Sequence, residues 1–296
     1  MHLKIQHTTR HNYSGPVSFG DHLLFLRPLE SHSLRVHSFD VVTIPASQRR
    51  WVRDSYGNSA RVCNFGLTES AELAFEVSMA VELGDENPYD FILAPYAASF
   101  PFEYEASDQV ALGAYLGKNP RPGSLRVMSW YQREACELTE TVALFSNLNE
   151  RIRNEIRYQA RDEEGIQAPD QTLKLGSGSC RDMAVLFIAV VRQLGLAARF
   201  VSGYLFDPQI GGGEGGHVFN RAVGSMHAWA EVYLPGAGWK GFDPTNGILA
   251  NSNFIPCAVS HDPLRVNPIQ GSYFSKQARQ STMSVDLKLE EIKDAE

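Results

Sequence analysis

The sequence is poor in cysteine, and its four cysteines stand far apart without forming a CxxC pair. They are Cys63, Cys136, Cys180 and Cys257. This spacing excludes a disulfide framework and the usual ligand pattern of a structural zinc site. Because a free thiol usually packs as a small hydrophobic group, a functional cysteine has to be identified from its neighbours.

Long apolar runs are also missing. The longest one, Met183 to Val191, is much shorter than the roughly 20 apolar residues that a membrane-spanning helix needs. The first residues, Met1-His2-Leu3-Lys4, do not begin an apolar segment of the kind found in secretory signals. The sequence therefore predicts a cytoplasmic protein without a membrane partner.

Positive charge is not in excess, since 27 Lys and Arg residues stand against 34 Asp and Glu residues and the net charge is -7. This balance gives no electrostatic reason to expect a nucleic-acid partner. The sequence also lacks a dense carboxylate loop for calcium, and we expect no metal and no cofactor. The expected ligands are peptides or small amides, and the sequence does not predict an oligomeric state.

Hydrophobic residues make up 43% of the chain, enough for a substantial core, and their pattern changes along it. In the first part, short strand-like segments alternate with turn sequences, which predicts a β-sandwich-like domain. These segments are Leu3–His7, His22–Leu26, Val36–Val42, Arg61–Phe65 and Leu73–Val81. A proline-rich connecting segment follows at residues 87–123. We therefore expect one domain over residues 1–124 and a second over residues 125–296.

The second part begins with helical periodicity. Apolar residues repeat at helix spacing at Leu144, Leu148, Ile152 and Ile156. The apolar segment 183–194 predicts a buried helix that begins at Cys180. Strand patterns follow at residues 198–206, 228–234 and 239–242, with one more near the C-terminus. The predicted fold class is α+β.

A loop of small residues, Gly176-Ser177-Gly178-Ser179, leads to Cys180 in the first turn of that helix. The free N–H groups and the dipole at a helix N-terminus favour the thiolate form of a cysteine. The same N–H groups can bind the oxyanion that forms when a thiolate attacks a carbonyl. Cys180 is therefore the candidate nucleophile, and Cys63, Cys136 and Cys257 are predicted to be structural.

A cysteine nucleophile needs a base that is held in position. His227 begins a segment of alternating residues, and Asp243 follows it after a glycine turn and a second strand-like segment. Such a hairpin would return the Asp243 carboxylate to the imidazole and fix its tautomer. The predicted catalytic residues are Cys180, His227 and Asp243.

The order of these motifs resembles the catalytic core of the transglutaminase-like superfamily of papain-related folds. The motifs are Cys180-Arg181-Asp182, His227-Ala228-Trp229 and Asp243-Pro244-Thr245. Other segments resemble the bacterial cysteine-protease branch of that superfamily and its β-rich N-terminal region, namely His7–Arg10, Leu26–Pro28, Asp54–Asn58 and Asn267–Gly271. The resemblance implies a papain-like core and acyl transfer from amides through a thioester.

The resemblance leaves the acyl acceptor open. Water would give a peptidase or amidase, which we expect, and an amine would give a transglutaminase. A non-catalytic peptide-binding module of the same fold is a further alternative, although all three candidate residues are present. A metal site formed by Cys180, His217 and His227 is disfavoured by the long spacing between them.

Other residues are expected to support the site. Arg181 and Asp182 are predicted to cap and brace the helix, and Arg199 to play a similar part. The resemblance implies an upstream side chain as an oxyanion donor, for which Tyr158 and Gln171 are the candidates.

Two loops in the second part are distinctive. The glycine-rich segment 211–216 lacks the Lys-Ser or Lys-Thr of a phosphate-binding loop, so we interpret it as a hairpin tip or a flap over the cleft. The segment Ser260-His261-Asp262-Pro263 departs from the Gly-Arg-Asp-Tyr that the bacterial branch often carries. Substrate preference would differ if this second loop lined the cleft.

Overall fold

The structure is a computed structural model that describes residues 1–117, 124–132, 139–161, 165–206 and 226–292. Six strands form its first part. The strands are β1 (His2–Phe19), β2 (His22–Leu24), β3 (Leu34–Ile44), β4 (Gln48–Arg53), β5 (Ser59–Asn64) and β6 (Glu69–Leu83). The five predicted strand segments correspond to β1, β2, β3, β5 and β6. The sequence did not predict β4, because its side chains are mostly exposed and show no apolar alternation.

Helices dominate the middle of the chain. The elements are β7 (Ser99–Phe100), α1 (Ala106–Ala111), α2 (Ser124–Gln132), β8 (Thr139–Glu140), α3 (Thr141–Glu155), β9 (Arg157–Tyr158), α4 (Pro169–Leu175), β10 (Ser177–Gly178) and α5 (Cys180–Gln193). The predicted periodicity is confirmed in α3, which buries Leu144, Leu148 and Ile152. No helix within the described residues is long and apolar enough to cross a membrane.

The connecting segment that follows β6 is anchored to the C-terminal half of the chain through Tyr104. Tyr104 is buried, its hydroxyl donates a hydrogen bond to the carbonyl oxygen of Tyr233 at 2.8 Å, and it accepts one from the backbone N–H of Ala197 at 3.0 Å. This phenol therefore fastens the connecting segment to the C-terminal half of the chain.

Five antiparallel strands form the sheet that faces α5. They are β11 (Ala198–Leu205), β12 (His227–Leu234), β13 (Gly238–Asp243), β14 (Ile248–Leu249) and β15 (Phe254–Ser260), in the spatial order β14-β13-β12-β11-β15. Apolar side chains of α5 pack against one face of this sheet in a single buried cluster that includes Leu186, Phe187, Ala230, Val232 and Phe242. The predicted α+β class, with a buried helix against an antiparallel sheet, is confirmed.

The last strands return to the first part of the chain. β16 (Ile269–Gln270) pairs with β2, whereas β17 (Tyr273–Phe274) and β18 (Ser281–Glu291) pair with β1. The expected boundary at residue 124 stays a prediction. The expected extent of the second domain to residue 296 also stays a prediction, and the structure shows that β16, β17 and β18 within it pair with strands of the β-rich part. Pairing with β18 covers the edge of β1 from Leu3 to Tyr13, which would otherwise expose unpaired backbone groups.

Two sheets of the β-rich part pack face to face. One contains β1, β3, β6, β17 and β18, and the other contains β2, β4, β5 and β16. Apolar side chains of both sheets form one cluster with residues of β11 and β15, and its members include Leu3, Ile5, Leu24, Cys63, Phe75, Tyr204, Ile255 and Cys257. The predicted β-sandwich-like region is confirmed. It packs directly on the five-stranded sheet that faces α5, which is called the second sheet below.

A buried asparagine joins the sandwich to the edge of the second sheet. The Nδ2 of Asn58 donates to the carbonyl oxygen of Val259 at 2.8 Å, and the N–H of Val259 donates to Oδ1 of Asn58 at 2.8 Å. The side chain thus pairs with edge strand β15 as a neighbouring strand would. Asp54 holds Asn58 in place by accepting from its backbone N–H and its side-chain amide.

A buried histidine forms a second polar link between the two parts. His7 on β1 hydrogen-bonds through Nδ1 to the Tyr204 hydroxyl and through Nε2 to Oγ1 of Thr9, both at 3.1 Å. Burial lowers the pKa of His7 from 6.5 to about 4. Between these two values the unfolded chain binds a proton that folded His7 excludes, so stability falls as the pH falls through this window.

The substitution His7→Gln is therefore expected to reduce the acid sensitivity of folding. We expect the parent to lose about 2 kcal/mol more unfolding free energy than the variant between pH 7 and pH 5, because only the parent takes up this proton on unfolding. Urea unfolding at both pH values measures the difference. The control is His32→Gln, at a histidine whose side chain is 84% exposed. Equal losses of unfolding free energy in the parent and in His7→Gln would show that His7 can bind a proton in the folded protein at pH 5.

Candidate active site

A buried carboxylate fixes the loop that leads into α5. Cys180 is the first residue of the helix, and Ser179 caps its N-terminus. The backbone N–H and the hydroxyl of Ser179 donate to Oδ2 of Asp182 at 2.8 and 2.9 Å. Gly178 leaves the necessary space, because a Cβ atom there would lie 2.8 Å from Cβ of Asp182. The position of Cys180 therefore depends on contacts made by the residues on both sides of it.

Asp182 is itself held by an ion pair. Nη1 of Arg161 donates to both Asp182 oxygens at 3.0 and 2.9 Å, and the backbone N–H of Gln167 donates to Oδ1 at 2.7 Å. Arg181 in turn donates to the carbonyl oxygen of Arg161 at 3.0 Å. These contacts agree with the bracing role predicted for Arg181 and Asp182. The sequence did not indicate Arg161, which lies in a loop 21 residues before Asp182.

His227 and Asp243 meet at one end of the second sheet. His227 begins β12, Asp243 ends β13, and the two strands pair as an antiparallel hairpin. Nε2 of His227 lies 2.9 Å from Oδ2 of Asp243. Asp243 also accepts from Nδ2 of Asn246 at 2.7 Å and from the backbone N–H of Thr245 at 2.9 Å. The hairpin returns the carboxylate to the imidazole as the sequence predicts, while Asn246 is an additional partner that it did not indicate.

Both members of this pair favour their charged forms. Burial lowers the pKa of His227, but the Asp243 carboxylate and the nearby Cys180 outweigh burial and raise that pKa from 6.5 to about 10. Burial also raises the pKa of Asp243, and the hydrogen bonds and charge around its carboxylate outweigh burial and lower it. The pair is therefore an imidazolium next to a carboxylate.

The second nitrogen of His227 is the one available to Cys180. Nε2 is committed to Asp243, and Nδ1 makes no well-aligned hydrogen bond within the described part of the chain. The Cys180 side chain nevertheless lies close enough to contribute to the raised pKa of His227. We interpret the two observations together as a thiol that faces Nδ1 without ideal alignment, which is common in sites without a bound substrate.

Aromatic rings support the imidazole. The ring centroids of Trp229 and Phe254 lie 6.2 and 6.0 Å from that of His227, and the two aromatic rings meet edge to face at 5.3 Å. Gly203 pairs with His227 across the β11–β12 ladder. A Cβ atom on Gly203 would lie 2.2 Å from the carbonyl oxygen of Ile255 and 2.8 Å from the Trp229 ring. Glycine is therefore needed there for this packing.

Of the two upstream candidates, the structure places Tyr158 near the site. The β9–β10 pair places Tyr158 opposite Gly178, two residues before Cys180. Burial, followed by the charges of Cys180 and Asp243, raises the pKa of Tyr158 to about 12, against the opposing effect of Arg181. The phenol therefore keeps its proton at neutral pH and can donate it in a hydrogen bond. Gln171 is exposed on α4.

Arg199 braces the second sheet rather than the catalytic residues. Its Nε donates to Glu231 at 2.6 Å, and its guanidinium lies 4.2 Å from the centre of the Trp239 ring. The glycine-rich segment 211–216, His217 and Cys136 lie outside the described residues. The flap, the structural role of Cys136 and the expectation that Cys180, His217 and His227 form no metal site therefore stay predictions.

The loop at residues 260–263 lies at the other end of α5 from Cys180. His261 contacts the Tyr56 hydroxyl through Nδ1, and its carbonyl oxygen accepts from Nη2 of Arg192 at 2.9 Å. Twelve residues of helix separate Arg192 from Cys180, which corresponds to about 18 Å. The segment Ser260–Pro263, which differs from the Gly-Arg-Asp-Tyr of the bacterial branch, therefore lies at the junction with the sandwich.

Two protein-family models match the chain. The model of the transglutaminase-like superfamily matches residues 134–244, and that of the bacterial transglutaminase-like N-terminal region matches residues 3–82. Residues 134–244 therefore belong to the transglutaminase-like superfamily. Cys180, His227 and Asp243 all lie within the first match, and the strands β1–β6 lie almost entirely within the second.

Two mycobacterial proteins and one solved structure resemble most of the chain. Uncharacterized protein Rv2569c of Mycobacterium tuberculosis is 28% identical over 285 residues, which cover 92% of this chain and 87% of that protein. Uncharacterized protein ML0607 of Mycobacterium leprae is 24% identical, with coverages of 96% and 98%. The crystal structure of a "Putative Cysteine Protease" from Cytophaga hutchinsonii is 17% identical, with a TM-score of 0.68 and coverages of 100% and 92%. This last likeness shows that the fold is shared.

The substitution Asp182→Ala is expected to destabilise the transglutaminase-like core severely. It breaks the ion pair between the buried Asp182 carboxylate and Arg161, and breaking a buried ion pair costs about 3–5 kcal/mol of unfolding free energy. The matched control is Asp262→Ala, which removes an Asp side chain that caps a short helix by accepting from the N–H of Leu264. That control should cost only about 1 kcal/mol. Urea unfolding measures both, and equal losses would contradict a special role for Asp182.

Proposed function

We propose that this protein is a cysteine-dependent enzyme that hydrolyses peptide or carboxamide bonds through a thioester on Cys180. The single observation that carries the proposal is the buried His227–Asp243 pair beside a cysteine at the N-terminus of α5. Membership of the transglutaminase-like superfamily supports the same chemistry. A peptide or amide substrate and a cytoplasmic location stay predictions.

The first step activates the nucleophile. In the resting enzyme Cys180 has already given its thiol proton to Nδ1 of His227, so the nucleophile is a thiolate next to an imidazolium that the Asp243 carboxylate stabilises. The raised pKa of His227 supports this direction of proton transfer. The N-terminal end of the α5 dipole further favours the negative sulfur.

The second step forms the thioester. The Cys180 thiolate attacks the substrate carbonyl, and the oxyanion that develops accepts hydrogen bonds from backbone N–H groups at the start of α5 and from the Tyr158 hydroxyl. The imidazolium of His227 then donates its proton to the departing nitrogen. The C–N bond breaks, the amine or ammonia leaves, and the acyl group stays on sulfur.

The third step releases the acid. His227, now neutral, takes a proton from water as the water oxygen attacks the thioester carbonyl. The C–S bond breaks, the carboxylic acid departs, and the sulfur leaves as a thiolate next to the His227 imidazolium, which restores the resting ion pair. We propose water as the acceptor because the sequence shows no recognisable amine site. With an amine acceptor, the same steps would give a transglutaminase-type transfer.

The substitution Cys180→Ala is expected to lower turnover at least about a thousandfold, because no other group can form the thioester. Turnover is measured on a panel of peptides and glutamine amides, with and without a primary amine. Rapid acid quenching followed by peptide mass spectrometry should find the acyl mass on Cys180 of the parent. Cys63→Ser is the control at a buried cysteine of the sandwich, and it should keep both turnover and the adduct.

The outcomes separate the alternatives. Amide product that increases with added amine would identify a transferase. Unchanged turnover in Cys180→Ala would remove the thioester mechanism. A parent protein that binds peptides from the panel but yields neither product nor adduct would favour the non-catalytic binding module.

A further inference from the structure

Three potential metal ligands lie together at one end of the first sheet, outside the Cys180 site. They are His2 on β1, His37 on β3 and Glu82 on β6, and their ligating atoms all lie within 4.8 Å of one another. Nε2 of His37 lies 2.9 Å from Oε2 of Glu82, and the rings of His2 and His37 are stacked with centroids 5.8 Å apart. The three side chains therefore converge on one point of the surface.

Strand pairing explains this convergence. His2 is the direct cross-strand partner of Glu82 in the β1–β6 ladder, and such partners have neighbouring side chains on one face of a sheet. On the other side of β6, the register shifts between Val36 and Ser38, so His37 is the extra residue of a β-bulge. A bulge redirects a side chain, and here it brings the His37 imidazole to Glu82.

We propose that His2, His37 and Glu82 form a binding site for a divalent transition-metal ion, for which Zn²⁺ has the best-matched ligand chemistry. Imidazole nitrogen and carboxylate oxygen bind Zn²⁺ at about 2.0–2.2 Å, which places the ligating atoms of a tetrahedral site about 3.4 Å apart. The His37 and Glu82 ligating atoms are 2.9 Å apart, and all three ligating atoms lie within 4.8 Å of one another. Small side-chain rotations complete the geometry, because the His37 and Glu82 side chains are 50% and 42% exposed.

The backbone beneath the site is fixed by the core. Leu3, Val81 and Leu83 alternate with the ligands along β1 and β6, and all three are buried in the sandwich. A rigid support with exposed ligating tips is the arrangement that a surface metal site needs. Three protein ligands leave a fourth position for water or for a group from another molecule. The ion would tie three strands together.

Arg35 allows the electrostatic effect of a nearby positive charge on metal binding to be tested. It is the β3 partner of Glu82 in the β3–β6 ladder, and its positive charge opposes a cation at this site. Arg35→Gln should therefore bind Zn²⁺ more tightly than the parent, whereas the loss of any ligand should weaken binding.

The site is tested by calorimetric titration of Zn²⁺ into tag-free protein that carries Cys180→Ser, so that the active-site thiol cannot compete for the ion. We expect one ion per chain and affinity at least about tenfold weaker after His37→Gln or Glu82→Gln. His32→Gln removes an exposed histidine that pairs with Glu86 and should leave the affinity unchanged. Circular dichroism checks that each variant is folded.

Thermal unfolding gives a second measurement. Zn²⁺ should raise the melting temperature of the Cys180→Ser protein and leave that of its His37→Gln derivative unchanged. Absence of Zn²⁺ binding, or binding that both ligand substitutions leave intact, would overturn the site. Because every variant lacks Cys180, the result does not depend on the proposed catalytic function.

Discussion

The buried ion pair between His227 and Asp243 sets the conditions that the surrounding core has to meet. Both side chains are removed from water, so their charges must be compensated by the protein itself. Asn246 and the N–H of Thr245 supply hydrogen bonds to the carboxylate, and the β12–β13 hairpin fixes the distance between the two residues. A pair held this firmly leaves one ring nitrogen of His227 for Cys180.

The second half of the site is built on another buried carboxylate. Asp182 fastens the start of α5 through Ser179 on one side and Arg161 on the other. The sheet therefore positions the base and the helix positions the nucleophile, and each depends on a buried aspartate. This division explains how residues distant in sequence can meet in a defined geometry. The candidate site therefore forms where helix α5 packs against the second sheet.

Sequence reasoning predicted the elements with strong local signals. The apolar segment of α5, the small-residue loop before Cys180 and the hairpin between His227 and Asp243 are all readable from periodicity and turns. Contacts between distant segments were not readable. Arg161 reaches Asp182 from a loop without periodicity, β18 pairs with β1 near the opposite end of the chain, and His7 on one sheet contacts Tyr204 on another. Tertiary packing selects these partners, and local pattern carries no information about them.

The charge on His227 is the property on which the proposed chemistry depends, and imidazole nitrogen NMR measures it most directly. Selectively labelled protein is titrated from pH 6 to pH 9, with Asp243→Asn for comparison. We predict that both ring nitrogens of His227 remain protonated at pH 8 in the parent and that one of them loses its proton in Asp243→Asn, because the carboxylate holds the imidazolium. A neutral His227 imidazole in the parent at pH 8 would contradict this charge state and the activation of Cys180 that rests on it.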